Sequence, residues 1–311
     1  MSSFVIREYK SGDEKYIIML FKEVFGKNMS VEQWKWKYYI PGNGKIYSKI
    51  AEDSNGNLVG HAGAVPLKGV FKGKQYQFFQ IADVMVHPKA RGFFGTKNLF
   101  SMIIKNLFED IAKAFSEVFC YGFPGRRPFI LGKRIDVYDE IEKAVDYTKT
   151  PNYTFFNKCK IKNLEWNDIE ISNLWNSISN SLGLSIIRDT AYLNWRYALN
   201  PFNNYQLYGA FHSGILKCWF VTKEQADELF IIDFMSDLKL FRQALKAFEK
   251  IFAHKKRKIH IWVSEPFKES LKDYNIEQTQ IITTNMIWKL PLQTSIVKKN
   301  LFYTMGDVDI F

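Results

Sequence analysis

Hydrophobic and polar positions along residues 1–150 change their period several times, which predicts alternating strands and helices. Alternating or continuous apolar runs predict strands at 4–9, 46–52, 58–70, 75–87 and 117–123. Apolar positions at helical spacing predict helices at 16–25, at 31–39, after Gly95 and, as a short basic helix, at 126–134. The Asn55-Gly56 pair predicts a hairpin between the second and third strands. This order predicts an α/β fold built on a mixed sheet, with three antiparallel strands before the third helix.

The same pattern begins again beyond residue 151. Trp36-Lys37-Tyr38 recurs 159 residues later as Trp195-Arg196-Tyr197, and two strand-like runs follow each triplet. Asp83, inside the predicted strand 75–87, recurs 150 residues later as Asp233, which also lies shortly before a predicted helix. Self-similarity at such a spacing indicates an internal duplication. We therefore predict two domains of similar fold, residues 1–150 and residues 151–311.

The junction between the strand 75–87 and the helix after it has the layout of a phosphate-binding loop. Pro88 ends the strand, and Arg91-Gly92 with Gly95 forms a loop that opens into the helix. Backbone N–H groups without helical partners and the positive end of the helix dipole attract an anion at such a place. Arg91 and Lys97 add positive charge. The first domain is thus expected to bind a phosphate-bearing ligand.

The residues of this junction resemble a known signature. The order Val84-x-Val86-x-Pro88-x-x-Arg91-Gly92, with Leu99 eight residues after the arginine, resembles the pyrophosphate-binding motif of the GNAT superfamily of acyl-CoA N-acyltransferases. The resemblance implies two tandem GNAT-like domains, the first of which is catalytic and binds acetyl-CoA or another acyl-CoA as cosubstrate. The cofactor-binding residues that it implies are Val84, Met85, Val86, Arg91, Gly92, Phe93, Phe94, Gly95, Thr96 and Lys97.

The second copy lacks this loop. Residues 236–241, at the matching place, contain no glycine, and Asp237 at the helix start would repel a phosphate. We therefore expect the second domain to be a degenerate GNAT-like repeat. It would form part of the acceptor cleft, because ligand sites favour the junctions of domains.

Acyl transfer to an amine needs a base for the ammonium proton and an acid for the leaving thiolate. Asp83 is a candidate base, although its recurrence as Asp233 in the copy without the loop also fits a structural role. His87 is a second candidate because histidine titrates near neutral pH, with a surface histidine as the alternative. His61 lies among small residues that leave room for a ligand.

Further candidates exist for the general acid, and the C-terminal residues are further candidates for the base. Relatives in the resembled family often use a tyrosine in the segment that corresponds to 126–132, which has none here, so Tyr121 and Tyr138 are the nearest substitutes. Both also fit core positions. Some tandem relatives end inside the protein, where the terminal carboxylate is the base. Asp307, Asp309 or the carboxylate of Phe311 could enter the cleft in this way, or these residues form an ordinary last strand.

Composition narrows the class of protein. The 311 residues are 47% hydrophobic and 24% charged, a composition that is typical of a globular protein. No apolar run approaches the ~20 residues of a membrane span, and we see no apolar core of a signal peptide. Cys120, Cys159 and Cys218 are far apart, so we expect neither disulfides nor a metal site, and a cytoplasmic location. The net charge of +11 suits a CoA-type polyanion. The basic run 255–258 stands without any nucleic-acid-binding motif, so we expect no nucleic-acid partner.

The resemblance to the GNAT superfamily implies an N-acetyltransferase that joins an acyl group to a primary amine of a small molecule by direct attack in a ternary complex. One alternative is a tandem-GNAT aminoacyl transferase that takes its group from charged tRNA, which the net charge would suit. Another is a non-catalytic module that binds acyl-CoA or a partner. Phe94 and Thr96 favour it, because they stand where the family usually has glycine or alanine.

Overall fold

The computed structural model describes residues 4–40, 44–91, 98–151 and 157–308. Every strand and helix predicted for the first half is present, with bounds that differ by at most two residues where both ends were predicted. The strands of this half are β1 Val5–Glu8, β2 Tyr47–Glu52, β3 Leu58–Phe71, β4 Lys74–Val86, β5 Val118–Gly122 and β6 Tyr138–Lys149. The helices are α1 Glu14–Phe25, α2 Val31–Tyr38, α3 Leu99–Ala114 and α4 Arg126–Arg134.

The second half repeats the alternation of helices and strands. Its strands are β7 Lys160–Asn163, β8 Ser185–Ile186, β9 Gln206–His212, β10 Ile215–Gln225, β11 Glu228–Ser236, β12 Lys258–Ile261 and β13 Asn275–Met286. Its α-helices are α5 Ile169–Ile178, α6 Thr190–Leu193, α7 Phe241–Phe252, α8 Glu265–Lys268 and α9 Thr294–Asn300. A π-helical turn, Asn194–Ala198, carries the repeated Trp-Arg-Tyr triplet.

The chain forms two compact units, and each unit takes in a segment that is distant in sequence. Unit 1 consists of Met1–Lys68, Gln75–Glu142 and Ile281–Lys298. Unit 2 consists of Gly69–Lys74, Lys143–Gln280 and Lys299–Phe311. The boundaries of the two units fall within strands β3, β4, β6 and β13 and within helix α9.

Unit 1 is a mixed sheet with helices. Strands β1, β2 and β3 pair antiparallel in chain order, and β4 follows β3 in the sheet. β4 and β5 are parallel, which requires a crossover, and α3 supplies it. The C-terminal part of β13 pairs antiparallel with β5. The mixed α/β fold expected from the sequence is thus confirmed.

Helix α3 is the main apolar support of unit 1. Leu99, Ile103, Leu107 and Ile111, spaced by four residues, form one buried face within the hydrophobic core of the unit. The Asn98 side chain caps the helix by accepting a hydrogen bond from the Ser101 backbone N–H at 2.8 Å. The first turn contains no acidic residue, so its backbone dipoles keep a positive end.

In unit 2 the neighbouring strands follow the order β6, β12, β11, β10, β9 and β7. β9, β10 and β11 are antiparallel neighbours, whereas β11 and β12 are parallel, as β4 and β5 are in unit 1. α7 provides the crossover between β11 and β12. Residues 301–308 are all buried in unit 2.

His260 joins three strands of unit 2. It lies on β12, with Nδ1 at 2.7 Å from Asp146 Oδ2 on β6 and Nε2 at 3.3 Å from Glu228 Oε1 on β11. Burial alone lowers the pKa of His260, but the hydrogen bond and charge of Asp146 and the charge of Glu228 outweigh it and raise the pKa. Lys258 opposes this effect from the same strand, and Glu277 on β13 lies near enough to reinforce it.

We predict that His260 makes the stability of the protein depend on pH. A raised pKa in the folded state stabilises the protein below the pKa of the unfolded chain, and this contribution is lost as pH rises through the folded pKa. His260→Gln should therefore lower the urea midpoint more at pH 5.5 than at pH 8.5. Equal losses at both pH values would contradict the assignment of a charged His260.

Candidate functional site

The parallel pairing of β4 and β5 ends before β4 does. The ladder runs from Gln77 opposite Val118 to Ile81 opposite Gly122, whereas β4 continues to Val86. Phe79 and Ile81 face the core of unit 1, and after Asp83 it is Val84 and Val86 that pack against this core. The alternation of side chains thus shifts by one residue at Asp83, as at a β-bulge. β5 itself ends at Gly122, so residues 82–86 of β4 extend beyond the ladder that joins these two parallel strands.

Asp83 itself adopts an unusual backbone conformation. Its φ is +50°, in the left-handed region that residues other than glycine rarely occupy, although aspartate and asparagine occupy it more often than most. Such a residue inside a strand costs on the order of 1–3 kcal/mol and persists only where its surroundings hold it.

Two neighbouring residues of α2 hold the Asp83 side chain. Lys37 Nζ lies 2.9 Å from Oδ1 and 3.0 Å from Oδ2, and the Tyr38 hydroxyl donates a hydrogen bond to Oδ2 at 2.7 Å. The Lys37 side chain is 8% exposed and that of Asp83 is 5% exposed, so both charges are shielded from water. We refer to Lys37, Tyr38 and Asp83 as the clamp.

His61 braces the same turn from β3. Its Nδ1 lies 2.7 Å from the Asp83 carbonyl oxygen, and its Nε2 lies 2.9 Å from Ser48 Oγ. Because a carbonyl oxygen only accepts, Nδ1 carries the proton and Nε2 accepts from the Ser48 hydroxyl. Burial lowers the pKa of His61 and keeps the ring neutral. The structure therefore places His61 in a structural bridge.

His87 and Arg91 lie at the exit of β4. His87 Nε2 is 2.8 Å from Glu23 Oε2, and Nδ1 accepts a hydrogen bond from the Lys89 backbone N–H at 3.1 Å. Arg91 is exposed, and its Nε donates to the Val86 carbonyl at 2.8 Å. Both ring nitrogens of His87 are thus engaged, while the ring keeps partial contact with water.

Tyr121 and Tyr138 are buried within unit 1. Tyr121 is 1% exposed and stacks on Phe119 with ring centroids 5.3 Å apart. Tyr138 packs edge-to-face on Phe100, and burial raises its pKa. Both positions are those of core residues, the alternative that the sequence left open for them. Gly92 to Lys97, Asp309 and Phe311 lie outside the described residues.

Unit 2 repeats the tyrosine–aspartate contact of the clamp. The Tyr197 hydroxyl donates to Asp233 Oδ2 at 2.7 Å, the distance found between Tyr38 and Asp83. The parallel ladder of β11 and β12 ends at Ile231, two residues before Asp233, just as the ladder of β4 and β5 ends two residues before Asp83. Asp233 has no positive φ.

The surroundings of Asp233 are filled by the chain itself. Arg188 Nε donates to Asp233 Oδ1 at 3.0 Å, and the Thr304 hydroxyl donates to the same oxygen at 2.8 Å. A Cβ on Gly306 would stand only 2.1 Å from the Tyr197 hydroxyl, so this glycine is required for the close approach. Residues 304–308 therefore occupy the space beside the tyrosine–aspartate pair of unit 2.

Asp307, a candidate base from the sequence, belongs to this cluster. It is 2% exposed and pairs with Arg188, and burial raises its pKa against the effect of that arginine. Arg196, the counterpart of Lys37, donates to the carbonyl oxygens of Gly306 and Val308 at 2.9 and 3.0 Å. Asp237, just before α7, accepts a hydrogen bond from the Lys239 backbone N–H at 2.8 Å, which places a carboxylate near this helix start.

Unit 1 also contains a pocket of about 570 Å³ beside the end of β4. Its walls come from α1, the β2–β3 hairpin and His87 with Lys89. The lining carries more acidic than basic side chains, namely Asp13, Glu23, Glu52 and Asp53 against Arg7 and Lys89. Arg7 is occupied by Asp13 and Glu52, with bonds of 2.7 and 2.6 Å.

Lys37, Tyr38 and Ser48 were not singled out from the sequence as site residues. Tyr38 and Asp83 are separated by 45 residues, and no local pattern reports such a contact. The signal available was the repeat, because both the triplet with Tyr38 and the residue Asp83 recur in the second half.

Comparison with known proteins agrees with this geometry. The family model described as an acetyltransferase (GNAT) domain matches residues 5–133. No curated protein matches the chain. Similar solved structures include a probable N-acyltransferase from Enterococcus faecalis V583, at 17% identity and a TM-score of 0.71, with 92% of this chain and 73% of that chain covered.

Two further structures show the same fold. A GCN5-related N-acetyltransferase from Anabaena variabilis has 13% identity and a TM-score of 0.68, with 91% of this chain and 72% of that chain covered. N-myristoyltransferase from Saccharomyces cerevisiae, solved with bound myristoyl-CoA, has 12% identity and a TM-score of 0.60, with coverages of 92% and 82%.

The described part of the chain contains neither a metal-ligand group nor a membrane-spanning helix. Within 4–40, 44–91, 98–151 and 157–308, no three or more His, Cys, Asp or Glu side chains are grouped to hold a metal ion. In the same ranges, no helix combines the length and the apolar character that crossing a membrane requires.

We predict that Gly63→Ala destabilises the protein through the clamp. An added Cβ would stand 2.4 Å from the Tyr38 hydroxyl, so the ring must move and the hydrogen bond to Asp83 is lost. The expected loss is about 1–3 kcal/mol in the free energy of unfolding, measured by urea denaturation. Gly125→Ala is the control, because an added Cβ there has no atom within 4 Å. Equal stability of the two variants would contradict the packing described.

Proposed function

We propose that the protein transfers an acyl group from acyl-CoA to a primary amine of a small molecule, because residues 5–133 match the family model of an acetyltransferase (GNAT) domain. The observation that carries the proposal is the continuation of β4 past its last pair with β5, at Ile81, inside the matched residues. In unit 2, residues 304–308 lie beside Asp233, the counterpart of Asp83, whereas β4 of unit 1 is followed in sequence by the glycine-containing segment 92–97.

The cosubstrate would lie along the end of β4. Backbone groups of Val84, Met85 and Val86 would hold the pantetheine and the thioester, since these residues follow the end of the ladder with β5. Arg91 and the loop residues Gly92, Phe93, Phe94, Gly95, Thr96 and Lys97 would hold the pyrophosphate, together with the start of α3. Acetyl-CoA is the acyl donor that we propose to test first.

The reaction is direct attack of the neutral amine on the thioester carbonyl in a ternary complex. The nitrogen–carbonyl bond forms, the carbon–sulfur bond breaks, the ammonium proton passes to a base and the thiolate leaves as CoA. Among the proposed catalytic residues, His87 has a partly exposed side chain that lines the pocket, and to act as the base it must first release Glu23 or the Lys89 backbone N–H from its ring. Asp83 is held by the clamp, and Tyr121 and Tyr138 are in the core. The carboxylate of Phe311 remains part of the proposal.

The acceptor is a cationic small molecule. Amines carry positive charge at neutral pH, and the pocket next to His87 has an acidic balance of side chains that suits such a group. Its volume of about 570 Å³ is in the range of pockets for small ligands. A reducing, cytoplasmic setting would suit Cys120, Cys159 and Cys218, which are buried free thiols.

We also propose that the two domains differ in role. Residues 1–150 would be the catalytic acyl-CoA-binding domain, and residues 151–311 a degenerate GNAT-like domain. The shared tyrosine–aspartate contact supports a common origin, and Asp237 near the start of α7 disfavours a phosphate there.

We expect acetyl-CoA to bind through Arg91. Isothermal titration should give one site per chain, and a cosubstrate at ~100 times its dissociation constant should add about 2.7 kcal/mol to the free energy of unfolding. Arg91→Glu should abolish binding by placing a negative charge at the pyrophosphate. Lys239→Glu, a charge reversal before α7 in unit 2, should leave binding intact and is the matched control.

The same titration separates the alternatives. Binding of acetyl-CoA without release of the CoA thiol on a panel of amines would favour a non-catalytic acyl-CoA-binding module. Binding of charged tRNA in the absence of acetyl-CoA binding would favour the aminoacyl transferase.

A further inference from the structure

We propose that Lys37 and Tyr38 are positioning residues for acyl transfer. By holding the Asp83 side chain, they fix the left-handed turn in β4 that sets the direction of residues 84–86. The geometry of the clamp is independent of the ligand, whereas its role toward the thioester rests on the proposed function.

Four contacts from two elements converge on Asp83. α2 provides Lys37 and Tyr38, which bind both carboxylate oxygens, and β3 provides His61, which binds the carbonyl oxygen. β2 supports His61 through Ser48. The side chain and the peptide group of Asp83 are therefore both fixed, which is the condition under which a strained backbone persists at a functional site.

The position of the turn connects the clamp to the proposed cosubstrate site. The turn lies two residues beyond the last β4–β5 pair, and it shifts the alternation so that Val84 and Val86 face the core. If the turn relaxed to an ordinary strand conformation, the alternation would return to its former phase and each following residue would face the other side of the sheet. The backbone groups of residues 84–86 would then point in different directions.

The surroundings of Asp83 argue for positioning rather than proton transfer by this carboxylate. Both oxygens accept hydrogen bonds, and the side chain is 5% exposed. The same tyrosine–aspartate contact occurs in unit 2, where Arg188 and Thr304 also bind the aspartate. Because residues of the same chain surround the Tyr197–Asp233 contact, that contact stabilises the fold of unit 2. Of the two aspartates, only Asp83 in unit 1 occupies the left-handed region.

Two variants separate positioning from base catalysis. Lys37→Met removes the ion pair and leaves the Asp83 carboxylate buried with Tyr38, so the turn is no longer held on both sides. The double variant Lys37→Met/Asp83→Gly removes both charges and places glycine, which adopts a positive φ without strain, at the turn. Neither variant leaves an unpaired buried charge of Lys37.

The first readout is amide hydrogen exchange of residues 82–87 in the protein without ligand. We expect exchange to be about tenfold faster in Lys37→Met and to return toward the wild-type rate in the double variant. Unchanged exchange in a folded Lys37→Met would overturn the proposal. This readout needs no activity, so it tests the clamp even if acetyl-CoA is not the ligand.

The second readout is acetyl-CoA affinity and amine turnover. Lys37→Met should weaken affinity and lower kcat, each by about tenfold, and the double variant should regain most of both. If exchange recovers in the double variant while turnover stays lost, Asp83 is a base and the positioning role is wrong. Failure of the wild type to bind acetyl-CoA would count against the proposed function alone.

Tyr197→Phe is the matched control in unit 2. It removes the same hydrogen bond to an aspartate, at the same distance of 2.7 Å, in the unit without the loop. It should lower Tm while leaving acetyl-CoA affinity and exchange at residues 82–87 unchanged. Tyr38→Phe should lower Tm, weaken acetyl-CoA affinity and speed exchange at residues 82–87. Identical behaviour of the two phenylalanine variants would contradict a role specific to unit 1.

Discussion

The left-handed conformation of Asp83 is the constraint on which the candidate site depends. An aspartate at φ +50° in the middle of a strand is strained, and the surrounding side chains must hold it. Lys37, Tyr38 and His61 do so from two neighbouring elements. Because the turn follows the last pair between β4 and β5, it sets how the end of β4 presents its backbone. The glycine at position 63 is part of the same requirement, since a larger residue would displace Tyr38.

Comparing the two units shows which features belong to the fold and which to the site. The tyrosine–aspartate hydrogen bond and the early end of the parallel ladder occur in both. Of the two aspartates, only Asp83 has a positive φ. Residues 304–308 of the chain lie beside Asp233. A buried Arg188 with two carboxylates, Asp233 and Asp307, stabilises that filled arrangement. The shared features support a duplication, and the differences support a single acyl-CoA site.

Much of the fold could be predicted from the sequence, whereas the side-chain network of the site could not. Hydrophobic periodicity reports strands and helices, so α4 at 126–134 has the predicted bounds. Periodicity does not indicate which distant strand pairs with β5. The assignment of residues 281–298 to unit 1 therefore could not be predicted from any local sequence pattern. Periodicity also predicts unbroken alternation through 75–87, and the shift at Asp83 depends on Lys37 and Tyr38, some 45 residues away. The repeated triplet was the one trace of this contact in the sequence.

A crystal structure of the protein with acetyl-CoA tests the central claim most directly. The account predicts one cosubstrate per chain, with its pantetheine along residues 84–86 and its pyrophosphate at the loop that follows Arg91. It predicts no density for the cosubstrate beside Asp233, where residues 304–308 already lie. Acetyl-CoA bound along β11, or bound in unit 1 away from the end of β4, would contradict the assignment of the site.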